Sequence, residues 1–288
     1  MLAVILLRFN PCGFGTPTQN YRETLRHLRH HYDARHIFPL ELLFDGEQPV
    51  DPNAVRIRGT ECHKYIFQKE VLFNQFVRGL PGQYDNVALF DSDLWFTRTD
   101  WAEQIEQSLR TADIIQAFDQ CHWLDQAGQI VLTRKSNTQT HTYPNYPNYH
   151  PGFAWAMRRD LFDRMGGLFD YNIVGGGDGT FCWSLMGDPQ RIPDGDHFPD
   201  CLLQAITQYR LRIQQLRIRL GHAPGAVIHR WHGDRKNRRY CSRHLLLKQH
   251  QFRLDDIALD GLVWRWNTAN QGLQDAIKEL FLDRKEDG

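Results

Sequence analysis

The chain has 288 residues, 41% of them hydrophobic, 12% aromatic and 24% charged, with a formal net charge of zero. That is ample for a real core in one large α/β domain or two small ones, and no apolar run approaches the ~20 residues of a membrane span. The start, MLAVILLRFNP, lacks the basic opening and small-residue cleavage site of a signal peptide, and the six scattered cysteines form no CxxC pair. This pattern argues for free thiols in a reducing, cytoplasmic setting, and against a zinc site or a disulfide framework.

In chain order, strand-like runs at Leu2–Phe9, Ile37–Phe44 and Val87–Phe90 alternate with helical patterns at Asn20–His31, Tyr65–Gly79 and Asp100–Thr111. This βαβ rhythm predicts a mainly parallel sheet covered by helices. Asp100 and Glu103 have the spacing of a capping box, and Asp113–Phe118 reads as a further short strand. Residues Ser136–Pro151, with three prolines, predict an ordered loop or lid over a site. A strand follows at Gly152–Arg159, then helices at Arg159–Met165 and Gly179–Met186, a longer helical stripe at Cys201–Leu220 and a short apolar strand ending at His229. The amphipathic, charged tail from Asp260 predicts a peripheral helix.

Three constellations carry candidate chemistry. In VALFDSDLWF, Asp91 and Asp93 interrupt an apolar run, and a buried, unpaired carboxylate is very costly. On extended chain, positions i and i+2 point to one side, so two convergent oxygen donors predict a divalent ion such as Mg²⁺ or Mn²⁺. In VGGGDGTFCWSL, Asp178 opens a short helix, where it reads as a structural cap or as a general base beside a glycine-lined approach. In AVIHRWHGDRKNRRY, His229 and His232 flank Trp231, and either imidazole could complete the coordination of that ion. Arg235 and Lys236 would then face its anion. Between Ala205 and His250 there are eleven basic side chains and one acid, Asp234, which implies an anionic partner. There is no P-loop, no GxSxG, and only a GxG at Gly13–Gly15 without the third glycine of a dinucleotide fingerprint.

Taken in order, DSD at Asp91–Asp93, GGGD at Gly175–Asp178 and HGDRK at His232–Lys236 resemble the GT-A type of nucleotide-sugar glycosyltransferase. The resemblance implies a GT-A (Rossmann-like) α/β fold over residues 1–245, with residues 246–288 as a helical extension packed on it. It also implies Mn²⁺ or Mg²⁺ and a nucleotide-sugar donor, UDP-glucose being favoured. Asp93 is then the direct metal ligand, with Asp91 on metal, ribose or a bridging water, and His232 closing on the metal. Asp178 is the base of an inverting reaction. Arg8, Phe9, Asn10 and Lys69 meet the nucleotide, Arg235 and Lys236 its diphosphate, and His150, Trp155, Gly176 and Gly177 the sugar or acceptor. FNP, QKEVLFN at Gln68–Asn74, DSDLWF, HPGFAWA and GGGD resemble, more narrowly, a bacterial and phage group related to the base J glucosyltransferase. That likeness implies a 5-hydroxymethylpyrimidine in DNA as acceptor, with Arg238 and Arg239 on the phosphates. The rivals are a transferase acting on polysaccharide or lipid precursors, a metal-dependent nuclease or phosphatase, and a non-catalytic nucleic-acid-binding protein.

Overall fold

The computed structural model describes residues 1–144, 147–188, 192, 195–240 and 242–288. The apolar run at the start becomes β1 (Leu2–Phe9), followed by α1 (Gly15–His31), β2 (Ile37–Leu43), β3 (Val55–Arg58) and α2 (Lys69–Arg78). The middle of the chain supplies β4 (Asn86–Phe90), β5 (Leu94–Phe96), α3 (Trp101–Ser108), β6 (Ile114–Gln116), β7 (Gln120–Leu124), β8 (Ile130–Ser136), β9 (Tyr149–His150) and β10 (Ala154–Arg158). Then come α4 (Arg159–Met165), α5 (Gly177–Met186), α6 (Asp200–Gln214), β11 (Leu220–His222), β12 (Ala226–His229) and α7 (Arg243–Gln249). A hairpin of β13 (Ile257–Asp260) and β14 (Val263–Trp266) precedes α8 (Gln271–Leu282).

Seven strands form the central sheet in the order β11-β6-β10-β4-β1-β2-β3. All neighbours are parallel except β10, which runs antiparallel to both β4 and β6. The fold is therefore α/β with a mainly parallel sheet. Alternation along β1 explains why the sheet is covered twice. Ala3, Ile5 and Leu7 pack into one core with α2, α5, α6 and α8, while Leu2, Val4 and Leu6 pack into a second with α1 and α3. A second sheet, β5-β12-β7-β8-β9, stands beside the first and carries β12 against β5.

Several local expectations are corrected. Asp100 does not cap α3 with its side chain; it accepts instead from Arg98 at 2.7 and 2.8 Å and from Gln104 at 2.9 Å. The stripe predicted to run to Leu220 stops at Gln214, and Arg217 takes a left-handed backbone (φ 48°) that no α-helix continues through. The tail is not helical throughout, because Val263–Trp266 pairs as a strand before α8 begins. Strands β3, β5, β7 and β8 went unread. The free thiols at Cys12, Cys62, Cys121, Cys182 and Cys201 agree with the reading, while Cys241 and residues 145–146 of the predicted lid lie outside the described residues. Among the described residues, no helix is long and apolar enough to cross a membrane.

Candidate functional site

A cavity of about 590 Å³ opens where β1 and β4 end, a usual size for a small-molecule site and the usual end of a parallel sheet for one. Chain leaving β1 lines it with Arg8, Phe9 and Asn10. Asn10 also closes its own turn, donating to the Phe14 carbonyl at 2.6 Å and accepting from the Phe14 amide at 3.1 Å. Arg8 is buried and pairs with Glu47, and Glu41 lies 3.9 Å away. A wider groove of about 910 Å³ runs along α1 past Arg26, His30 and His31, but none of the residues that carry the chemistry below faces it.

The two aspartates do not converge as i and i+2 on extended chain would. Strand β4 stops at Phe90 and residues 92–93 form a turn, so the carboxylates separate. Asp91 turns to Lys69 of α2, at 2.6 Å, while Asp93 turns to the second sheet. There β12 pairs with β5 so that His229 lies opposite Leu94, next to Asp93 in the chain. Asp93 Oδ2 meets His232 Nε2 at 2.7 Å and His229 Nε2 at 3.5 Å. Both histidines, not one of the two, therefore face Asp93. The three offer one donor atom each, all within 4.8 Å of one another.

The electrostatics of these three groups suit a cation. Burial alone would raise the Asp93 carboxyl, but the charges of His229 and His232 when protonated, the hydrogen bond from His232 and the charge of Arg238 outweigh it and hold the group below the ordinary carboxylate range. Burial pushes His229 down to about 3, leaving the neutral imidazole that a metal ligand requires. Among the described residues, Asp93 Oδ1 is buried without a hydrogen-bond partner, an open valence beside the triad. Arg238 crowds the His232 ring, its Nη2 2.6 Å from Nδ1 and 2.7 Å from Nε2, and Glu286 lies 3.3 Å from Nδ1.

In the same cavity Lys69 bridges two carboxylates, 2.6 Å from Asp91 and 3.3 Å from Asp178. Burial favours the neutral amine, yet Asp178 and Asp91 together keep it protonated. Burial, reinforced by Asp178 and Asp93, lifts the Asp91 carboxyl to about 6. Asp178 stands in the first turn of α5, where the helix dipole stabilises an anion. The N-cap position of α5 is Gly176, so Asp178 lies inside the first turn and not at the cap. Gly152 lets it approach His150: a Cβ there would come within 2.8 Å of Asp178 Oδ2 and 3.1 Å of His150 Nε2. Gly176 and Gly177 line the same wall.

Three sequence expectations are corrected here. Lys236 points into solvent, 80% exposed and 3.0 Å from Asp234, because its turn faces outward; Arg235 and Arg238 line the cavity in its place. Trp155 belongs to the core, 3% exposed with its indole N–H on the Pro151 carbonyl at 3.0 Å. Trp123 of β7, edge-on to His150 at 4.7 Å, lines the cavity, as does Trp183 of α5. Much of the basic window is paired within the chain, in part at its surface. Arg210 is buried on the carbonyls of Trp183 and Gly187, Arg219 pairs with Asp113, Arg230 with Glu23, Arg239 with Asp283, and Lys248 donates to the Asp196 carbonyl. Arg238, expected on DNA phosphates, is turned inward.

Sequence reasoning missed Glu70 and Glu286. Glu70 lines the cavity with Oε2 unpartnered among the described residues, and burial, with Asp178 adding to it, pushes its carboxyl up to about 8 against the pull of Lys69. A carboxyl raised by folding stabilises fully below its ordinary value of 4.5, and that contribution is lost as pH rises towards 8. Glu70→Gln, neutral at every pH, is therefore expected to melt above wild type at pH 9, with the advantage shrinking towards pH 4. Equal melting temperatures at pH 9 would show that Lys69 already compensates the charge.

No family model matches the chain, and no curated protein matches it. Among solved structures it is similar to a mannosyltransferase from Pyrobaculum calidifontis in complex with GDP-Man and Mn²⁺, at 13% identity and TM-score 0.46, over 98% of this chain and 72% of that one. A glucosyl-3-phosphoglycerate synthase from Mycobacterium tuberculosis with Mg²⁺ and UDP matches at 11% and 0.43, over 93% and 90%. A Drosophila β1,4-galactosyltransferase 7 with manganese, UDP-Gal and xylobiose matches at 12% and 0.41, over 77% of this chain, which spans 64% of its length. At such identities and scores, what these proteins bind says nothing of the chemistry here.

Proposed function

We propose that the chain is a metal-dependent glycosyltransferase that moves a sugar from a nucleoside diphosphate to an acceptor hydroxyl. One observation carries this reading: Asp93, His229 and His232 converge in a sheet-end cavity that Lys69 and Asp178 also line. One carboxylate and two imidazoles fit Mn²⁺ better than Mg²⁺, which prefers oxygen ligands throughout. Bound there, the ion would act as a Lewis acid towards the charge that builds on the β-phosphate as the sugar leaves. Arg235 and Arg238 add fixed positive charge on the same side. Arg8, Phe9 and Asn10 are suited to the nucleoside half of the donor. Asp178 accepts the proton of the acceptor hydroxyl as its oxygen bonds to the anomeric carbon and the bond to the diphosphate breaks, inverting that carbon. Lys69, held by both carboxylates, keeps Asp178 aimed into the cavity. Few carboxylates converge on the triad, which disfavours a two-metal nuclease or phosphatase.

The narrower reading takes a UDP-sugar, UDP-glucose first, and a 5-hydroxymethylpyrimidine in DNA. Trp123 and Tyr143, two aromatic rings lining the cavity, support a base held there after rotation out of its stack. The basic window no longer does. The test is a thermal-shift panel of nucleoside diphosphate sugars with Mn²⁺, followed by transfer assays on hydroxymethylated DNA and on saccharide or lipid acceptors. A donor that binds the folded protein at 100 times its Kd adds about 2.7 kcal/mol of stability, a shift of a few degrees. If no nucleotide sugar moves the melting temperature with Mn²⁺ present, the reading fails. Transfer to a saccharide alone would remove DNA and keep the transferase.

A further inference from the structure

We propose that Glu286 is the residue that positions His232 for the metal, an inference that rests on the metal-binding reading above. An imidazole presents its two nitrogens in nearly opposite directions, so a ring that ligates through one must be fixed through the other. His232 Nε2 lies 2.7 Å from Asp93 Oδ2, and its Nδ1 lies 3.3 Å from Glu286 Oε1, an ion-pair distance short of a formed hydrogen bond. Arg238 Nη2 lies over the ring, 2.6 and 2.7 Å from the two nitrogens. Glu286 therefore stands behind the ligand set, outside the group of atoms that converge. Once Arg238 gives its charge to Glu286, from which it lies 3.7 Å, an Nδ1–H donated to that carboxylate selects the tautomer whose Nε2 carries the lone pair and raises its basicity.

The rest of the segment holds Glu286 in place. It is 8% exposed, and Arg284 reaches it at 2.7 Å and Arg238 at 3.7 Å. These contacts give Arg238 a carboxylate partner besides the imidazole it crowds. Asp287, next in the chain, accepts the free amides of Gly15 and Thr16 at 3.0 and 2.7 Å where α1 begins. Gly233 allows the closest contact: a Cβ there would meet the Lys285 carbonyl at 2.8 Å and Glu286 Cα at 3.0 Å. The turn that carries His232 and the segment that carries Glu286 thus lie backbone against backbone. Phe281 and Arg284 extend the same wall of the cavity.

The experiment is titration of Mn²⁺ alone into wild type, Glu286→Gln and Glu286→Ala, by calorimetry and by the electron paramagnetic resonance of free Mn²⁺, at 10 °C. Loss of such an outer partner typically weakens metal binding about 10- to 100-fold. Glu286→Ala is expected in that range, and Glu286→Gln, which keeps an acceptor oxygen and the packing but not the charge, between it and wild type. Melting temperatures are measured alongside. If both variants bind Mn²⁺ as tightly as wild type, with or without a lower melting temperature, Glu286 is only a partner for Arg284 and the inference is wrong. Wild type that takes up no Mn²⁺ sinks the metal reading itself, and this inference with it.

Discussion

Asp93→Ala is expected to lower sugar transfer by at least ~10³-fold, since an ion at that site is asked for several kcal/mol of charge stabilisation and each 1.36 kcal/mol is tenfold in rate. The effect should be large because Asp93 is the single carboxylate of the triad and touches both imidazoles. Chelation of wild type should reproduce the loss, and Mn²⁺ should restore more activity than Mg²⁺, as a set with two imidazoles requires. Asp91→Ala provides the contrast. Asp91 pairs with Lys69 and not with the histidines, so this change should leave Mn²⁺ affinity within a fewfold of wild type while disturbing the Lys69–Asp178 pair. The measurements are initial rates with a donor found in the thermal-shift panel and Mn²⁺ titration of each variant. Full activity in excess chelator would remove the metal from the mechanism. Equal loss of Mn²⁺ affinity in both variants would instead mean that the carboxylates act together, as extended chain predicts.

Asp178→Asn should cost at least ~10²-fold in turnover, the low end for a general base, with donor binding retained. Asparagine keeps the shape and can still occupy the first turn of α5, but it cannot take the acceptor's proton. It also releases one of the two anions that hold Lys69. Lys69→Met separates these roles. If Asp178 acts as base and Lys69 only aims it, turnover falls less in Lys69→Met than in Asp178→Asn, and only the latter loses its dependence on acceptor basicity. Turnover that survives in Asp178→Asn would reduce that residue to a helix-start anion.

Much of the site was legible before the fold was known, because its members sit where local pattern breaks. Asp91 and Asp93 interrupt an apolar strand, Gly175–Asp178 gathers glycines before a carboxylate, and His229–His232 ends a short strand. Each break is a local event whose cost is set by burial, and burial follows from periodicity. Direction was not legible. Lys236 and Arg238 lie two residues apart on the same turn, and one is in solvent while the other is inside the cavity. Trp155 and Trp123 are equally aromatic, yet only one faces the site.

The sequence alone decided the alternation of strand and helix, the double covering of β1 and the three places where chemistry interrupts it. Hydrophobic period and backbone preference act over a few residues and need no knowledge of the neighbours. Tertiary structure decided which of those places meet. The register of β12 on β5 sets His229 beside Asp93, the turn after Phe90 sends Asp91 to Lys69, and the segment after α8 brings Glu286 to His232. It also spent much of the basic window on carbonyls and carboxylates of the same molecule: Arg210 is buried on backbone carbonyls, while Arg219 and Arg239 stay at the surface but are paired with Asp113 and Asp283. These pairings join residues far apart in the chain, and their energy depends on partners that no local pattern specifies. A motif therefore shows that a carboxylate must be neutralised, and only the fold shows by what.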